Sequence, residues 1–211
     1  MKQVIGLVGF KGSGKDTAAM VLNHHGYQKE AFAAPLKDVI SDVFSWDREM
    51  LEGATKESRE WRERPDPYWS KAFGYDVLPR AVLQKFGTES MRDVFHDDIW
   101  VRSLMRRIEL SEDSRFVISD VRFQNEVVAI QEMGGIIVRI RRGPEPPWFL
   151  LADQANRGHQ DAIAAMIETK VHRSEWDWIG CEFDMVIDNN STIKNFAEQV
   201  DKIVDKYRIL C

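Results

Sequence analysis

The peptide VIGLVGFKGSGKDT occupies residues 4–17 and joins a short apolar run to a glycine-rich loop. The run from Val4 to Val8 has the pattern of a strand that is buried on both faces. Gly9 to Lys15 fits GxxxxGK, with the hydroxyl of Thr17 one place later than in the usual form. Glycines let backbone N–H groups turn inward around phosphate oxygens, while a lysine and the positive end of the next helix attract the negative charge. The peptide therefore predicts a phosphate-binding loop between the first strand and the first helix.

Further strands and helices alternate along the chain. Short apolar runs predict strands around 27–32, 116–120, 136–140 and 185–188. Periodicity predicts helices at 15–25, 35–44, 126–133 and 193–207. Strands that alternate with helices build βαβ units, so the sequence predicts an α/β fold with a mostly parallel, doubly wound sheet. Ligands of such sheets bind at the carboxyl ends of the strands.

Three stretches interrupt this alternation. Residues 46–79 are dense in charge, tryptophan and proline, and we expect short helices and loops there; a solvated charged insert is the alternative. Residues 79–110 look helical, with a break at Gly87. Residues 141–170 form a long polar connection with a candidate helix from Asp161 to Lys170. We expect this connection to be a lid that excludes water from the site, and a surface excursion without a catalytic part is the alternative.

Composition restricts the class of protein. The 211 residues carry 29 Lys+Arg and 34 Asp+Glu, a net charge of −5, which argues against a nucleic-acid coat or an anionic-membrane binder. The length predicts one domain. Cys181 and Cys211 form no CxxC pair, so neither a disulfide framework nor a zinc knuckle is expected. No apolar run reaches the ~18–20 residues of a membrane span. We therefore expect a cytoplasmic protein.

A second group of charged residues follows the predicted strand at 116–120. Asp120 and Arg122 come directly at its end, and Glu126 opens the next helix. The carboxylate of Asp120 can orient a Mg²⁺-bound water or the acceptor, and Arg122 can clamp a phosphate with two N–H groups. An aspartate helix cap with an exposed Arg–Glu pair is the alternative.

Other candidates lie in the middle of the chain. Lys37, Arg59 and Arg80 are candidate phosphate partners, although each taken alone fits an ordinary surface charge better. Gly87 and Thr88 can bring backbone N–H groups close to a ligand. Trp100 lies on the apolar face of its helix, which predicts a core residue, and stacking on a base is the alternative.

Phosphate loops serve kinases, motor ATPases and GTP switches alike. A GTP switch normally carries an NKxD motif that reads guanine, and this sequence has none. A motor ATPase normally needs a larger chain or a basic oligomeric surface. The remaining pattern, a phosphate loop with arginines beside a second anion, favours a small-molecule kinase.

Seven stretches, among them the phosphate loop, carry a resemblance to a known family. They are GFKGSGKDT at 9–17, APLKD at 34–38, LQKFGTE at 83–89 followed by Trp100, ISDVRFQNE at 118–126, MGGIIVRIRRG at 133–143, HRSE at 172–175 and VIDN at 186–189. Together they resemble the bacteriophage deoxynucleoside monophosphate kinases of the T-even type. The resemblance implies a P-loop kinase three-layer sandwich, a single domain over 1–211 with a helical monophosphate-binding insert at 46–79 and a lid at 141–172.

The resemblance also implies an activity and a set of site residues. The family transfers the γ-phosphate of ATP, with Mg²⁺, to a deoxynucleoside monophosphate. By motif, ATP would be held by Lys11, Gly12, Ser13, Gly14, Lys15, Asp16 and Thr17, with Thr17 as a candidate Mg²⁺ ligand. The monophosphate would be held by Lys37, Arg59, Arg80, Gly87, Thr88, Trp100, Asp120, Arg122 and Glu126. Lys15, Asp120 and Arg122 would be catalytic, and Arg141 and Arg142 would act from the lid.

Two departures from the family qualify these expectations. The 46–79 region is shorter than in the T-even enzymes, which bears on base specificity, and the connection from Pro144 to Lys170 is longer, which bears on lid closure. Phosphomevalonate kinases share a similar GKD-type loop and PLK segment, so a kinase for another phosphorylated small molecule is one alternative. A non-enzymatic ATP-binding regulator is the other. The resemblance further suggests a homodimer, which acts in the host cytoplasm if a phage encodes it, in deoxynucleotide biosynthesis.

Overall fold

A computed structural model describes residues 2–210 of the chain, with side chains described as far as Tyr207. The strands are β1 (Gln3–Val8), β2 (Gln28–Glu30), β3 (Arg115–Ile118), β4 (Ile136–Arg141) and β5 (Met185–Asp188). The α-helices are α1 (Lys15–His24), α2 (Ala34–Phe44), α3 (Arg48–Glu52), α4 (Lys56–Arg62), α5 (Pro67–Phe73), α6 (Pro79–Gln84), α7 (Ile99–Leu110), α8 (Gln124–Glu132), α9 (Phe149–Asn156), α10 (Gln160–Glu168) and α11 (Ile193–Leu210). A π-helical segment (Lys85–Phe95) follows α6, and a 3-10 turn (Arg173–Glu175) precedes β5.

The strands of the described chain form one parallel sheet in the order β2-β3-β1-β4-β5. The first strand is central, since Ile5 lies opposite both Val117 of β3 and Ile136 of β4. Parallel pairing brings the carboxyl ends of neighbouring strands to one edge of the sheet. The loop after β1 and the residues after β3 therefore begin side by side. The predicted strands and the parallel, doubly wound sheet are confirmed.

Helices cover both faces of this sheet. Ile5 and Leu7 of β1 belong to a buried cluster with Leu22 of α1 and Phe196 of α11. Gly6 faces the other side, where a Cβ would lie only 2.7 Å from Ile130 of α8. Side chains alternate between the two faces of a strand. Helices α1 and α11 therefore belong to one outer layer, and α8 belongs to the other. The chain has the three-layer α/β arrangement of a P-loop fold.

Two compact units make up the chain. The first comprises the residues before Phe32 and those from Met105 onward, and it contains the sheet. The second, Phe32–Leu104, contains α2 to α6, the π-helical segment and the beginning of α7. Its core is formed by Leu36, Ile40, Trp46, Leu51, Val77 and Trp100. The 46–79 insert lies within this second unit and consists of short helices, as predicted; a single domain over the whole chain stays a prediction.

The predicted helix break at Gly87 is wrong. Helical structure continues through Gly87 in the π-helical segment, and the break falls after Phe95, before α7 begins at Ile99. Gly87 is buried, and a Cβ there would lie 2.6 Å from Cδ2 of Leu36. Close packing, which sequence periodicity does not register, explains a glycine inside a helical segment.

The connection from Arg141 to Lys170 contains more structure than predicted. The candidate helix is confirmed as α10, but α9 also forms directly after Pro144, Pro146 and Pro147. Both helices bury small or flexible side chains, namely Ala152, Ala155, Ala162 and Met166. The prolines precede α9, where they do not interrupt it, and they concealed it from a pattern-based interpretation.

Two further expectations concern cysteines and membranes. Cys181 has a free thiol whose pKa is raised to about 11 by burial, while Cys211 lies outside the described residues. Between residues 2 and 210, the chain has no helix whose length and apolar character suit a membrane span.

Candidate functional site

The phosphate loop lies between the end of β1 at Val8 and the start of α1 at Lys15. Gly14 precedes the helix with a φ of 110°, a conformation that L side chains rarely adopt. Gly9 passes so near β4 that a Cβ there would lie 2.4 Å from the carbonyl oxygen of Ile140. Both positions therefore require glycine, and the strand–loop–helix arrangement predicted from the motif is confirmed.

Lys15 folds back over this loop. Its Nζ donates hydrogen bonds to the carbonyl oxygens of Gly9 at 2.5 Å and Phe10 at 3.0 Å. Burial, followed by the positive charge of Arg122, lowers the pKa of Lys15 to about 8. Three carboxylates oppose that shift, those of Asp16, Glu175 and Asp120. The ammonium therefore lies in a partly dehydrated position beside a second cation, where an anion would stabilise both.

Ser13 indicates that the loop fits a phosphate group. The residue is 3% exposed, and its Oγ has no hydrogen-bond partner in the described part of the chain. A buried hydroxyl without a partner is costly, and a phosphate oxygen would satisfy it. Asn189, which follows β5, braces the loop because its Nδ2 donates to the carbonyl oxygen of Ser13 at 2.8 Å.

Asp120 and Arg122 lie in the segment that follows β3, and β3 is a neighbour of β1 in the sheet. Glu126 is 2% exposed, and its Oε2 accepts the backbone N–H of Arg122 at 2.7 Å and of Phe123 at 3.1 Å. The carboxylate of Glu126 thus holds the backbone turn from which the Arg122 side chain extends. Direct binding of a monophosphate by Glu126 stays a prediction.

The side chain of Arg122 is paired within the same unit. Its Nη1 donates to Oε1 of Glu175, which follows the lid region, at 2.7 Å. The charge of Arg122 is near enough to Lys15 to lower that residue's pKa. Lys15 was assigned from the sequence to ATP, and Arg122 to the monophosphate. The two cations therefore lie near enough for their charges to interact.

The two arginines that were predicted to act from a lid differ in their contacts, and the lid itself stays a prediction. Nη1 of Arg142 donates to the carbonyl oxygen of Gly12 in the phosphate loop at 3.4 Å. Arg141 instead pairs with Asp188 of β5, with 3.1 Å between its Nη2 and the carboxylate. Arg142 is accordingly the arginine of this pair that contacts the loop.

An aromatic cluster fixes the beginning of the loop. The ring of Phe10 packs edge-on against Trp148, Phe149 and Trp178, with centroids 5.6, 6.2 and 5.1 Å away. Arg139 of β4 places its guanidinium over Phe149 at 4.9 Å and over Trp178 at 5.4 Å. Helix α9 begins at Phe149, so the start of α9, within the predicted lid, packs directly on the phosphate loop.

The other predicted ATP residues have simple surroundings. Lys11 and Gly12 are exposed, and Asp16 pairs with Lys29 of β2 at 2.9 Å. Thr17 lies in the first turn of α1 and is half-buried, a position that suits a hydroxyl directed toward a phosphate or Mg²⁺. Over the residues that the structure describes, no cluster of three or more His, Cys, Asp or Glu side chains has the grouping of a protein-only metal site.

The candidates in the second unit pair mainly with carboxylates or carbonyls of that unit. Nζ of Lys37 lies 2.6 Å from Glu52, and Nη1 of Arg80 lies 2.6 Å from Glu63. Although burial opposes the shift, the hydrogen bond and charge of Lys37 help to lower the pKa of Glu52. Arg59 donates to the carbonyl oxygen of Ala54 at 2.9 Å.

Gly87, Thr88 and Trp100 also belong to the second unit. Trp100 is 6% exposed, and its Nε1 donates to the carbonyl oxygen of Gly87 at 2.8 Å. This burial agrees with the core position that helical spacing predicted for the tryptophan. Thr88 follows within the π-helical segment, a backbone form often found at functional sites.

Three contributors to the site were not assigned from the sequence. Asn189, Glu175 and Phe10 each lie inside a quoted family-like stretch, but no residue pattern gave them a role. A position at the carboxyl end of β5 could have indicated Asn189. Glu175 and Phe10 act through contacts with distant parts of the chain, which spacing does not report.

Comparisons with known proteins extend this description. No protein-family model matches the chain. A protein of Acanthamoeba polyphaga mimivirus is named "Putative deoxynucleotide monophosphate kinase". It is 32% identical over 96% of this chain and 96% of its own length. The deoxynucleoside-5'-monophosphate kinase of Escherichia phage T5 is 27% identical over 63% of this chain and 73% of its own length.

Solved structures with a similar arrangement include kinases of different kinds. Dephospho-CoA kinase from Campylobacter jejuni is 14% identical, covers 98% of this chain with 97% of its own, and superposes with a TM-score of 0.46. Shikimate kinase from Aquifex aeolicus is 15% identical, covers 98% of each chain, and has a TM-score of 0.41. Superpositions this loose carry no argument about substrate.

Proposed function

The chain belongs to the deoxynucleotide monophosphate kinase family, and from that membership we propose that it transfers the γ-phosphate of ATP to a deoxynucleoside monophosphate, giving the diphosphate and ADP. The observation that carries this proposal is the pair of cations Lys15 and Arg122, one in the phosphate loop and one after the neighbouring strand. Phosphoryl transfer needs the donor and acceptor phosphates aligned and their charge neutralised, and two neighbouring cations suit that requirement.

The donor phosphates would lie in the loop from Lys11 to Thr17. The N–H groups at the start of α1, the unsatisfied hydroxyl of Ser13 and the ammonium of Lys15 are the groups available to bind them. Lys15 would exchange its two carbonyl partners for phosphate oxygens, which hold a cation more strongly. Arg142, already at the loop, would add a positive charge from the lid.

Mg²⁺ fits the donor set of this unit. Thr17 supplies a hydroxyl in the first turn of α1, and Asp120 supplies a carboxylate whose charge acts on Lys15. When bound, the metal would neutralise negative charge on the donor phosphates. The protein residues would keep the donor and acceptor phosphates aligned, and the α9–α10 region would exclude water from the site.

On the acceptor side we assign Arg122 to the phosphate that receives the γ-phosphoryl group. A monophosphate is already anionic at neutral pH, so the acceptor needs no strong general base. Asp120 would orient the acceptor or the metal's water shell rather than remove a proton. The monophosphate contacts assigned to the second unit stay predictions, which replacement of single residues would test. The residues concerned are Lys37, Arg59, Arg80, Gly87, Thr88 and Trp100.

A coupled ADP-release assay tests the activity. The panel is the deoxy- and ribonucleoside monophosphates together with phosphomevalonate, each with ATP and Mg²⁺. We expect ADP release that depends on one or more deoxynucleoside monophosphates. Release that depends only on phosphomevalonate, or ATP binding without transfer to any acceptor, would contradict the proposal.

The resemblance is the support for a homodimer and for a place in the host cytoplasm. Light scattering coupled to size-exclusion chromatography measures the first, with twice 24.5 kDa as the expected mass. Elution at the mass of one chain over the full concentration range would contradict the dimer.

A further inference from the structure

The guanidinium of Arg122 is engaged on one side only. Nη1 donates to Oε1 of Glu175 at 2.7 Å, while Nε and Nη2 make no hydrogen bond within residues 2–207. An arginine has two donor edges, and the Nε–Nη2 edge can bind two phosphate oxygens in parallel. The pairing with Glu175 therefore leaves a complete edge of Arg122 available for an anion.

Glu175 is itself held by its neighbours. Its backbone N–H donates to the carbonyl oxygen of His172 at 2.9 Å, and its carbonyl oxygen accepts Nε1 of Trp178 at 3.1 Å. Trp178 is 2% exposed, so this anchor lies in the core of the first unit. The carboxylate of Glu175 thus extends from a braced 3-10 turn.

The same turn is tied to the backbone that carries Arg122. Asp177 is 4% exposed, and its Oδ2 accepts the backbone N–H of Gln124 at 2.9 Å. Its Oδ1 accepts Nε of Arg173 at 2.7 Å. Arg122 and Glu175 are therefore presented from two segments that a buried carboxylate joins, which fixes their separation.

We propose that Glu175 is a positioning residue, which holds Nη1 of Arg122 so that the Nε–Nη2 edge is directed at the phosphoryl group in transfer. The proposal rests on the role assigned to Arg122 under the proposed function. It gives a purpose to the HRSE stretch at 172–175, to which sequence reasoning assigned none.

The contact between the two side chains supports this role. Glu175 is the carboxylate that Nη1 of Arg122 contacts, so removal of its negative charge would weaken the bond that holds the guanidinium. Because both side chains of the Arg122–Glu175 pair are more than a third exposed, the pair contributes little to stability, and its effect belongs to orientation and charge.

Glu175→Gln is the test, because it keeps the size of the side chain and removes the charge. We expect kcat to fall by roughly 10- to 100-fold, since misalignment of a transition-state group is that costly, with the KM for ATP within about threefold of wild type. Glu182→Gln, an exposed glutamate of the same unit, is the matched control and should leave kcat within about twofold. A kcat for Glu175→Gln within twofold of wild type would overturn the proposal.

A double replacement separates positioning from a structural effect. In an Arg122→Lys background, Glu175→Gln should add less than about threefold to the loss, because the guanidinium edge that it orients is already gone. Equal losses in both backgrounds would mean that Glu175 acts independently of Arg122, and the proposal would fail.

An NMR observation of Arg122 in the ligand-free protein keeps this test separate from the proposed function. With arginines labelled with ¹⁵N and Arg122 assigned by replacement, the Nη signals of Arg122 should be resolved in wild type and in Glu182→Gln, because the bond to Glu175 slows rotation of the guanidinium, and should merge in Glu175→Gln. This readout needs no acceptor, so an enzyme inactive on every deoxynucleoside monophosphate would contradict the proposed function alone. Unaltered Arg122 signals in Glu175→Gln would contradict the inference alone.

Discussion

Lys15 holds its charge under conditions that oppose it, because burial and a neighbouring cation together lower its pKa to about 8. An ammonium with two backbone carbonyls as partners and Arg122 nearby is stabilised incompletely until an anion arrives. Dehydration of the charge costs stability in the empty protein and strengthens its attraction for phosphate. At the scale of one residue, a group under such strain is typical of a functional site.

Replacement of Lys15 should therefore separate activity from stability. In Lys15→Ala or Lys15→Met, we expect turnover to be abolished in the ADP-release assay, because the cation at the donor phosphates is lost. The midpoint of thermal unfolding should stay at or above that of wild type, since a dehydrated charge has been removed. Preserved activity in Lys15→Ala would contradict the assignment of Lys15.

The pH dependence follows from the same side chain. Lys15 loses its proton as the pH rises through about 8, so kcat/KM for ATP should fall above that pH. Bound phosphates favour the protonated form, so the corresponding limb in kcat should lie at higher pH. Steady-state profiles from pH 6 to 10 measure both limbs.

Stability should respond to pH in the opposite direction. The unfolded chain keeps the Lys15 proton up to its ordinary pKa of 10.5, whereas the folded chain releases it near 8. Between these values the unfolded state binds more protons, so the contribution of Lys15 to the free energy of unfolding rises with pH. Urea unfolding of wild type and Lys15→Met at pH 7.5 and 9.5 isolates that contribution as their difference, and a difference that does not change with pH would contradict it.

At the scale of elements, aromatic rings join the predicted lid region to the phosphate loop, alongside the hydrogen bond from Arg142 to Gly12. Phe10 contacts Trp148 and Phe149 at the start of α9 and Trp178 after the 3-10 turn. Edge-on aromatic pairs of this kind contribute about 0.5–1.5 kcal/mol each beyond the burial of area. The conformation of the loop therefore depends on elements that follow it by more than a hundred residues.

Phe10→Ala should loosen this connection. We expect the free energy of unfolding to fall by about 1–3 kcal/mol and the KM for ATP to rise, because three ring contacts are lost and the loop is less constrained. Denaturant unfolding and steady-state kinetics measure the two effects. Phe95→Ala is the control, since that ring is 69% exposed, and its unfolding free energy should stay within about 0.5 kcal/mol of wild type. An unaltered KM in Phe10→Ala would show that the loop keeps its conformation without the cluster.

At the scale of the whole molecule, nucleotide binding should be visible as stability. A ligand that binds only the folded chain stabilises it by about 2.7 kcal/mol when present at 100 times its Kd. ATP with Mg²⁺ should therefore raise the unfolding midpoint of wild type in a thermal shift measurement. Lys15→Met should show a much smaller shift, and an equal shift in both proteins would mean that ATP binds elsewhere.

Much of the architecture was accessible from residue patterns. Apolar runs and glycines marked the strands, because a strand buried on both faces needs an unbroken apolar run. Helix α9 and the position of the break before α7 were not accessible, since prolines and a glycine gave local signals that packing overrode. Within the site, Lys15, Ser13 and Arg122 came from motif spacing, whereas Glu175 and Asn189 did not.

The order of residues alone determined that a strand, a phosphate loop and a helix follow one another, and that Asp120 and Arg122 come at the end of another strand. These are local facts, which depend on side-chain size, glycine content and periodicity over a few residues. Folding decided that β3 lies beside β1, that Arg122 pairs with Glu175, and that Phe10 packs against aromatic side chains of the predicted lid region. Such contacts join residues far apart along the chain, and their energies depend on distance and burial in three dimensions, which no local pattern encodes.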